Sequence, residues 1–266
     1  MTKGTCDCKS VLRIDTFWTS GKKLMTIQAV LFDMFDTLMM IEKNHEFYGY
    51  SLKKTHAVLV EKGLDVNFAD FRDAYIKARD ELYFEADPRL EEPHFNLRIA
   101  NALKNLGYSF GVNSDLVTKA TNAFCEGFMD YVRIDDNAKK TLEMLHGKYK
   151  LGIVSNFAIP ECIDKLLKKN GLNNLFDVII VSATVNKRKP SPEIFEKALT
   201  KLDVTAENAV FVGDTVDADV EGAKSAGMKA VYIERRPQKE STCPDQTIKS
   251  LDELLAALER LNLACG

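Results

Sequence analysis

The sequence predicts an α/β fold: a parallel sheet covered on both faces, with an all-helical insert behind its first strand. Three observations predict it. Five short and almost wholly apolar runs recur along the chain. Amphipathic helical patterns lie between the later ones. One long stretch, residues 42–132, carries helical patterning with no convincing strand. Strands buried on both faces read as continuous apolar runs rather than as alternation. Their alternation with helices implies a parallel sheet joined by right-handed crossovers.

The first run, Ile27–Asp33, ends abruptly in a carboxylate. The others are Leu151–Ser155, Val178–Ser182, Ala209–Gly213 and Ala230–Ile233. Helical spacing marks Ala138–Leu145, Pro160–Lys169, Pro192–Lys201 and Ala218–Ala226, and Ile248–Leu261 closes the chain as a packing helix. Within the insert, helices are expected over about 45–62, 68–85, 93–106 and 114–132, with Gly63, Pro88 and Gly107 as breaks. Phe47, Tyr48, Phe68, Phe71 and Phe84 are expected to form its core. The organisation is therefore a core of residues 26–41 and 133–266, a helical cap of residues 42–132, and an extension of residues 1–25. That extension lacks periodicity and the apolar core of a signal peptide, and is expected to be poorly ordered.

Composition narrows the function. The chain has 266 residues, 36 basic and 39 acidic, with a net charge of −3. There is no basic footprint for nucleic acid. No apolar run approaches the roughly 20 residues of a membrane span. Cys6, Cys8, Cys125, Cys162, Cys243 and Cys265 are scattered and read as reduced thiols of a cytoplasmic protein. Cys6-Asp-Cys8 supplies two ligands, which do not make a zinc site.

Chemistry-bearing residues gather at the strand exits, the edge where open α/β sheets bind ligands. Asp33 ends the first run, Ser155-Asn156 the second, and Gly213-Asp214 the fourth, with Asp217 and Asp219 just beyond. Lys189 and Pro190 lie in the loop after the third. Taken singly, each has a plain reading: Asp33 as a turn cap, Ser155-Asn156 as a turn, Lys189 as solvated surface, Asp217 as the cap of a helix starting near Ala218. Taken together, they define a site. A carboxylate can attack phosphorus or carbon and divide one hard step into two. Asp33, Asp214 and Asp219 brought close would repel one another, and one lysine cannot balance three. Mg²⁺ can, while keeping waters and a phosphate oxygen. Ser155, the amides near Met34–Phe35 and Asn156, and the Lys189 ammonium suit an anionic group.

With Asp33 and Thr37-Leu38, Ser155-Asn156, Lys189-Pro190, and Gly213-Asp214 with Asp219 in this order, the chain resembles the haloacid dehalogenase (HAD) superfamily over about residues 27–260. Ala223 and Ala226-Gly227-Met228 continue the last motif. The resemblance implies a Rossmann-like, HAD-like core with a helical cap inserted after the first motif. It implies Asp33 as a nucleophile forming an aspartyl-phosphate, Lys189 and Ser155 as its catalytic partners, and Ser155, Asn156 and Lys189 as substrate-binding residues. It further implies Mg²⁺ held by Asp33, Asp214, Asp219 and the backbone carbonyl of Phe35. The substrate implied is a small phosphorylated metabolite.

Phe35 departs from the family pattern. The phosphatases resembled here carry an aspartate at that position, which protonates the leaving alcohol. In the haloacid dehalogenases it is non-acidic, since a halide leaves without a proton. Phe35 thus points to a 2-haloacid dehalogenase, whereas the retained Asp214 and Asp219 would repel a haloacid and point back to a phosphatase. A binding protein on the same scaffold is a third reading. Asp36 is one place out of register to replace the acid, and Glu42 and His45 lie in the hinge to the cap. His94, Arg98, Arg72 and Arg79 are candidates to meet an anionic substrate tail, or are ordinary solvated charges on amphipathic helices.

Overall fold

A computed structural model describes residues 26–42, 46–235 and 244–263. The extension of residues 1–25, His45, Cys6, Cys8, Cys243 and Cys265 lie outside the described residues. The chain opens with β1 (Ala29–Phe32) and the short β2 (Met39–Ile41). Four helices follow: α1 (Glu46–Glu61), α2 (Phe68–Ala86), α3 (Phe95–Asn105) and α4 (Asp115–Met129). Then come β3 (Val132–Ile134), α5 (Ala138–Leu145), β4 (Lys150–Ser155), α6 (Pro160–Lys169), β5 (Val178–Val181), α7 (Ser182–Val185) and α8 (Pro192–Leu202). The remainder is β6 (Ala209–Gly213), α9 (Gly222–Ser225), β7 (Lys229–Ile233), β8 (Gln246–Ile248) and α10 (Leu254–Leu263).

Six strands form one parallel sheet in the order β5-β4-β1-β6-β7-β8. Side chains alternate between its faces, as strand geometry requires. Val30, Phe32, Ile153 and Val212 enter the larger apolar cluster, and Ala29, Leu31, Val154 and Phe211 enter the other. All four β1 residues are buried. β1 sits centrally, with β4 and β6 on either side, and chain order reverses there. Register pairs Phe32 with Ile153 and with Val212, so Asp33, Ser155 and Asp214 leave the sheet along one edge.

Helix boundaries in the insert follow from capping. Asn67 accepts the Asp70 N–H at 2.9 Å to start α2, and Ser114 caps α4. Gly63 and Gly107 take φ of +90° and +88°. At the first, Leu64 N–H reaches Leu59 C=O at 3.1 Å and Gly63 N–H reaches Val60 C=O at 2.9 Å; Tyr108 and Gly107 repeat the pattern after α3. These are Schellman closures, which glycine adopts without a Cβ penalty.

Four features depart from the expectation. β2 and β3 pair antiparallel at the two ends of the insert, and β8 adds a sixth strand to the sheet. All three are three residues long, too short to carry a period. The helix expected from Ala218 begins instead as a widened turn over Val216–Glu221, in which Val220 N–H reaches back five residues to Thr215 C=O. Phe84, expected in the core, is 84% exposed. Phe71 is buried, and Phe47, Tyr48 and Phe68 pack against the main cluster. Among the described residues, no helix is long and apolar enough to cross a membrane.

α1 and α4 cross closely at Gly127, where a Cβ would lie 2.8 Å from Ser51 Cα. Because that neighbour is backbone, it cannot rotate away. Gly127→Ala should therefore lower stability by about 1–3 kcal/mol despite alanine's better helix propensity. Urea unfolding of the two proteins would measure this difference.

Candidate active site

The site forms where four strand exits meet. Asp33 directly follows β1, and its N–H bonds to Val212 C=O at 2.9 Å, which fixes the chain at the point where the carboxylate departs. Lys189 is buried, and its Nζ lies 2.6 Å from Asp33 Oδ1 and 2.7 Å from Asp219 Oδ1. The second contact is an ion pair that falls short of hydrogen-bond alignment. The Phe211 ring lies 5.0 Å beneath the ammonium. Asp33, Asp214 and Asp219 are all buried and each presents an oxygen within 4.8 Å of the others. Together with Phe35, Asp36, Asn156, Lys189, Thr215 and Ala218 they line a cleft of about 200 Å³.

Two local devices hold this cluster. Asn156 clasps the backbone of Lys189, accepting its N–H at 2.8 Å and donating Nδ2–H to its C=O at 2.9 Å. The expected substrate-binding side chain of Asn156 is thus committed to positioning Lys189. The widened turn carries Asp219 back toward the sheet, where Oδ2 accepts the Thr215 N–H at 2.9 Å. It comes so close to Gly213 that any Cβ there would overlap the Asp219 carboxylate. Asp217, expected as a helix cap, accepts its neighbour's N–H, from Ala218 at 2.9 Å.

The electrostatics are those of crowded anions. Burial, then the neighbouring Asp33 and Asp219 charges, pushes Asp214 up to about 7. Burial also raises Asp33, to about 6; Lys189 opposes that rise and Asp219 adds to it. Burial alone would lower Lys189, but the attraction of Asp219 and Asp33 outweighs it and holds the ammonium above its ordinary value. Among the described residues, Ser155 Oγ and Thr37 Oγ1 are buried without a hydrogen-bond partner. Buried hydroxyls are rarely left unpaired, so these are donors in want of an acceptor.

Asp36 serves the turn rather than the cleft centre. It holds φ of +55°, and its Oδ1 accepts the Ile41 N–H at 3.3 Å. Its carbonyl and that of Thr37 accept hydrogen bonds from Arg235, which also pairs with Asp135 at 2.8 Å. Sequence reasoning missed Arg235; its signal was a basic residue just past a strand exit. Glu42 is exposed at the end of β2. Arg72 and Arg79 pair with the adjacent Asp73 and Asp80 on exposed helix faces. His94 caps α3 by accepting the Asn96 N–H at 3.2 Å. Arg98 is buried beside Glu92 at 3.4 Å.

A parallel sheet with buried carboxylates and a lysine at its reversal point defines an α/β enzyme with strand-end acid chemistry. The haloacid dehalogenase-like hydrolase family profile matches residues 63–233, and this chain belongs to that family. The matched span contains Ser155, Lys189, Asp214 and Asp219 and begins after Asp33. The chain is 29% identical over 248 residues to a glyceraldehyde 3-phosphate phosphatase of Methanopyrus kandleri, covering 88% of this chain and 98% of that one. It resembles the crystal structure of a 2-haloacid dehalogenase from Pseudomonas syringae, with 26% identity, 89% and 100% coverage and a TM-score of 0.69. It also resembles a HAD phosphatase from Thermococcus onnurineus, with 27% identity, 87% and 98% coverage and a TM-score of 0.58.

Raised carboxylate pKa values mean that the folded state binds protons more tightly than the unfolded chain, whose value lies near 3.8. With divalent ions chelated, the contribution of these two carboxyls to stability should therefore be fullest below about pH 4 and be lost as pH rises through about 6 to 7. Asp214→Asn should remove much of that loss. At about pH 8 in EDTA it should be more stable than the parent by roughly 2–4 kcal/mol, with the gap closing below about pH 4. Urea denaturation at the two pH values checks the sign.

Proposed function

We propose that this chain is a Mg²⁺-dependent phosphate-monoester hydrolase acting on a small phosphorylated metabolite, with Asp33 as nucleophile. The observation that carries the reading is the buried set Asp33, Asp214 and Asp219 around one ammonium. Three carboxylates and one lysine leave a charge of −2 in a buried cleft, which suits a hard divalent cation. The residues fit that ion: Asp33, Asp214, Asp219 and the Phe35 carbonyl would hold it. Bound there, Mg²⁺ would neutralise the carboxylates and polarise a phosphoryl oxygen. The named phosphatase relative supports the same reaction class.

This chain's own residues then have distinct tasks. Lys189 orients the Asp33 carboxylate and offsets charge on the transferring phosphoryl group. The unpaired Ser155 Oγ supplies a donor for one of its oxygens. Asn156 holds Lys189 in place. Asp33 Oδ bonds to phosphorus as the ester P–O bond breaks, and the electron pair leaves on the ester oxygen. Water then attacks the aspartyl-phosphate, releasing phosphate and restoring Asp33. Residues 42–132 act as a cap that excludes bulk water from this step.

Phe35 leaves the departing oxygen without an acid at the expected position, which favours leaving groups that are already acidic. A second reading, 2-haloacid hydrolysis, is favoured by Phe35 and by the Pseudomonas syringae neighbour, but the carboxylate cluster opposes an anionic haloacid. Metal-free chloride release from 2-chloropropionate would favour that second reading.

Hydrolysis of p-nitrophenyl phosphate should require Mg²⁺, be abolished by EDTA, and fall at least about 10³-fold in Asp33→Asn. Activity indifferent to both changes would refute the proposal. Alkyl phosphates should be slow, and Phe35→Asp should raise their turnover by about 10²-fold, the usual contribution of a general acid. Phosphate release assays on a metabolite panel would read both effects.

A further inference from the structure

A second chamber, of about 380 Å³, adjoins the carboxylate cleft, and Phe35 and Asn156 line both. That volume falls in the range of small-molecule sites, about 300–1,000 Å³. Its wall is largely aromatic. The Phe35 ring lies 4.9 Å from Phe157 and 5.3 Å from Phe128, and Phe95 and Phe124 pack at 4.4 Å. Helices α1–α4 supply half of its lining residues, so the insert and the strand-exit loops together shape what the chamber accepts.

The polar side chains not shared with the carboxylate cleft are Tyr48, Tyr83, Glu92 and Arg98, and the Tyr48 hydroxyl shares a hydrogen bond with that of Tyr75 at 2.7 Å. Arg98 donates to Tyr83 Oη, and Tyr83 donates to Glu92. Arg98 also pairs with Glu92 at 3.4 Å, so the one buried cation is matched by one buried anion. Arg188, whose guanidinium lies 5.4 Å from the Tyr83 ring, is itself paired with Asp87 at 2.5 Å. The chamber therefore offers no surplus charge to a second ionised group, which would be desolvated on entry at considerable cost.

We propose that this chamber receives the leaving group of the phosphate ester, and that the group is aromatic and uncharged. The proposal rests on the phosphatase reading and names its substrate class. Two independent features converge on it. The ring-lined wall rewards a flat apolar group through stacking. The missing acid at Phe35 suits a phenol, whose pKa of about 10 lets it leave as phenolate and take its proton from water afterwards.

Phosphonates test recognition apart from chemistry. Titrated calorimetrically into Mg²⁺-loaded protein, phenylphosphonate should bind at least about tenfold more tightly than methylphosphonate. The ratio should shrink in Phe157→Ala, or in Phe47→Leu should the first variant fail to fold. A 4-carboxyphenylphosphonate should bind at least about tenfold more weakly than the phenyl compound. Equal affinity for phenyl and methyl compounds would overturn the aromatic proposal. If Asp33-dependent hydrolysis of acetyl phosphate persisted, the phosphatase reading would survive that result. Carboxyphenyl binding as tight as phenyl would overturn the uncharged leaving group. Binding of neither phosphonate would overturn both readings.

Discussion

The buried ammonium of Lys189, held between Asp33 and Asp219, is the interaction on which the rest of the site depends. Burying charge is costly unless each ion is paired, and removing one partner of such a pair typically costs about 3–5 kcal/mol. The architecture supplies what the ammonium requires. The parallel sheet places Asp33 and Asp214 at adjacent strand ends. Asn156 locks the backbone that carries Lys189. Gly213 leaves room for the Asp219 carboxylate, and the widened turn brings it there. One cation among three carboxylates is still an unbalanced set, and under the proposed function a divalent ion would balance it.

Phe35 joins the two halves of the molecule's chemistry. Its backbone belongs to the loop that follows the Asp33 strand, while its ring packs on Phe128 from α4 and on Phe157 beyond β4. At the position where the family resemblance implies an acid, Phe35 builds the wall of an aromatic chamber. On the proposed reading, this one residue both withholds a proton donor and offers a surface to an aromatic leaving group. Arg235, bridging the carbonyls of Asp36 and Thr37 to Asp135, keeps that loop in the conformation that makes both roles possible.

Much of this was legible in the residues. Continuous apolar runs located five strands of the sheet, because burial on both faces leaves no alternation to misread. Polar residues at their exits marked Asp33, Ser155, Asn156, Lys189, Asp214 and Asp219 as neighbours, since a parallel sheet brings every C-terminal end to one edge. Glycines at Gly63 and Gly107 marked helix ends through their left-handed closures. What escaped was set by tertiary partners. β2, β3 and β8 are too short for periodicity and exist because a neighbour offers a ladder. Phe84 follows the pattern of a core residue yet finds no facing surface. Arg98 reads as a surface charge or a substrate ligand, and only the fold reveals Glu92 and Tyr83 beside it. Asp36, one place out of register for the missing acid, takes a left-handed backbone that no local pattern announces, and its Oδ1 accepts the Ile41 N–H.

In the proposed reaction, Asp33 carries the phosphoryl group between leaving group and water. Rapid acid quenching of the Mg²⁺-loaded protein during turnover of an aryl phosphate, followed by peptide mass spectrometry, tests it most directly. The peptide containing Asp33 should gain the mass of one phosphoryl group, and the modification should be absent in Asp33→Asn. Turnover without any such modification, or with the phosphoryl group on another residue, would contradict it.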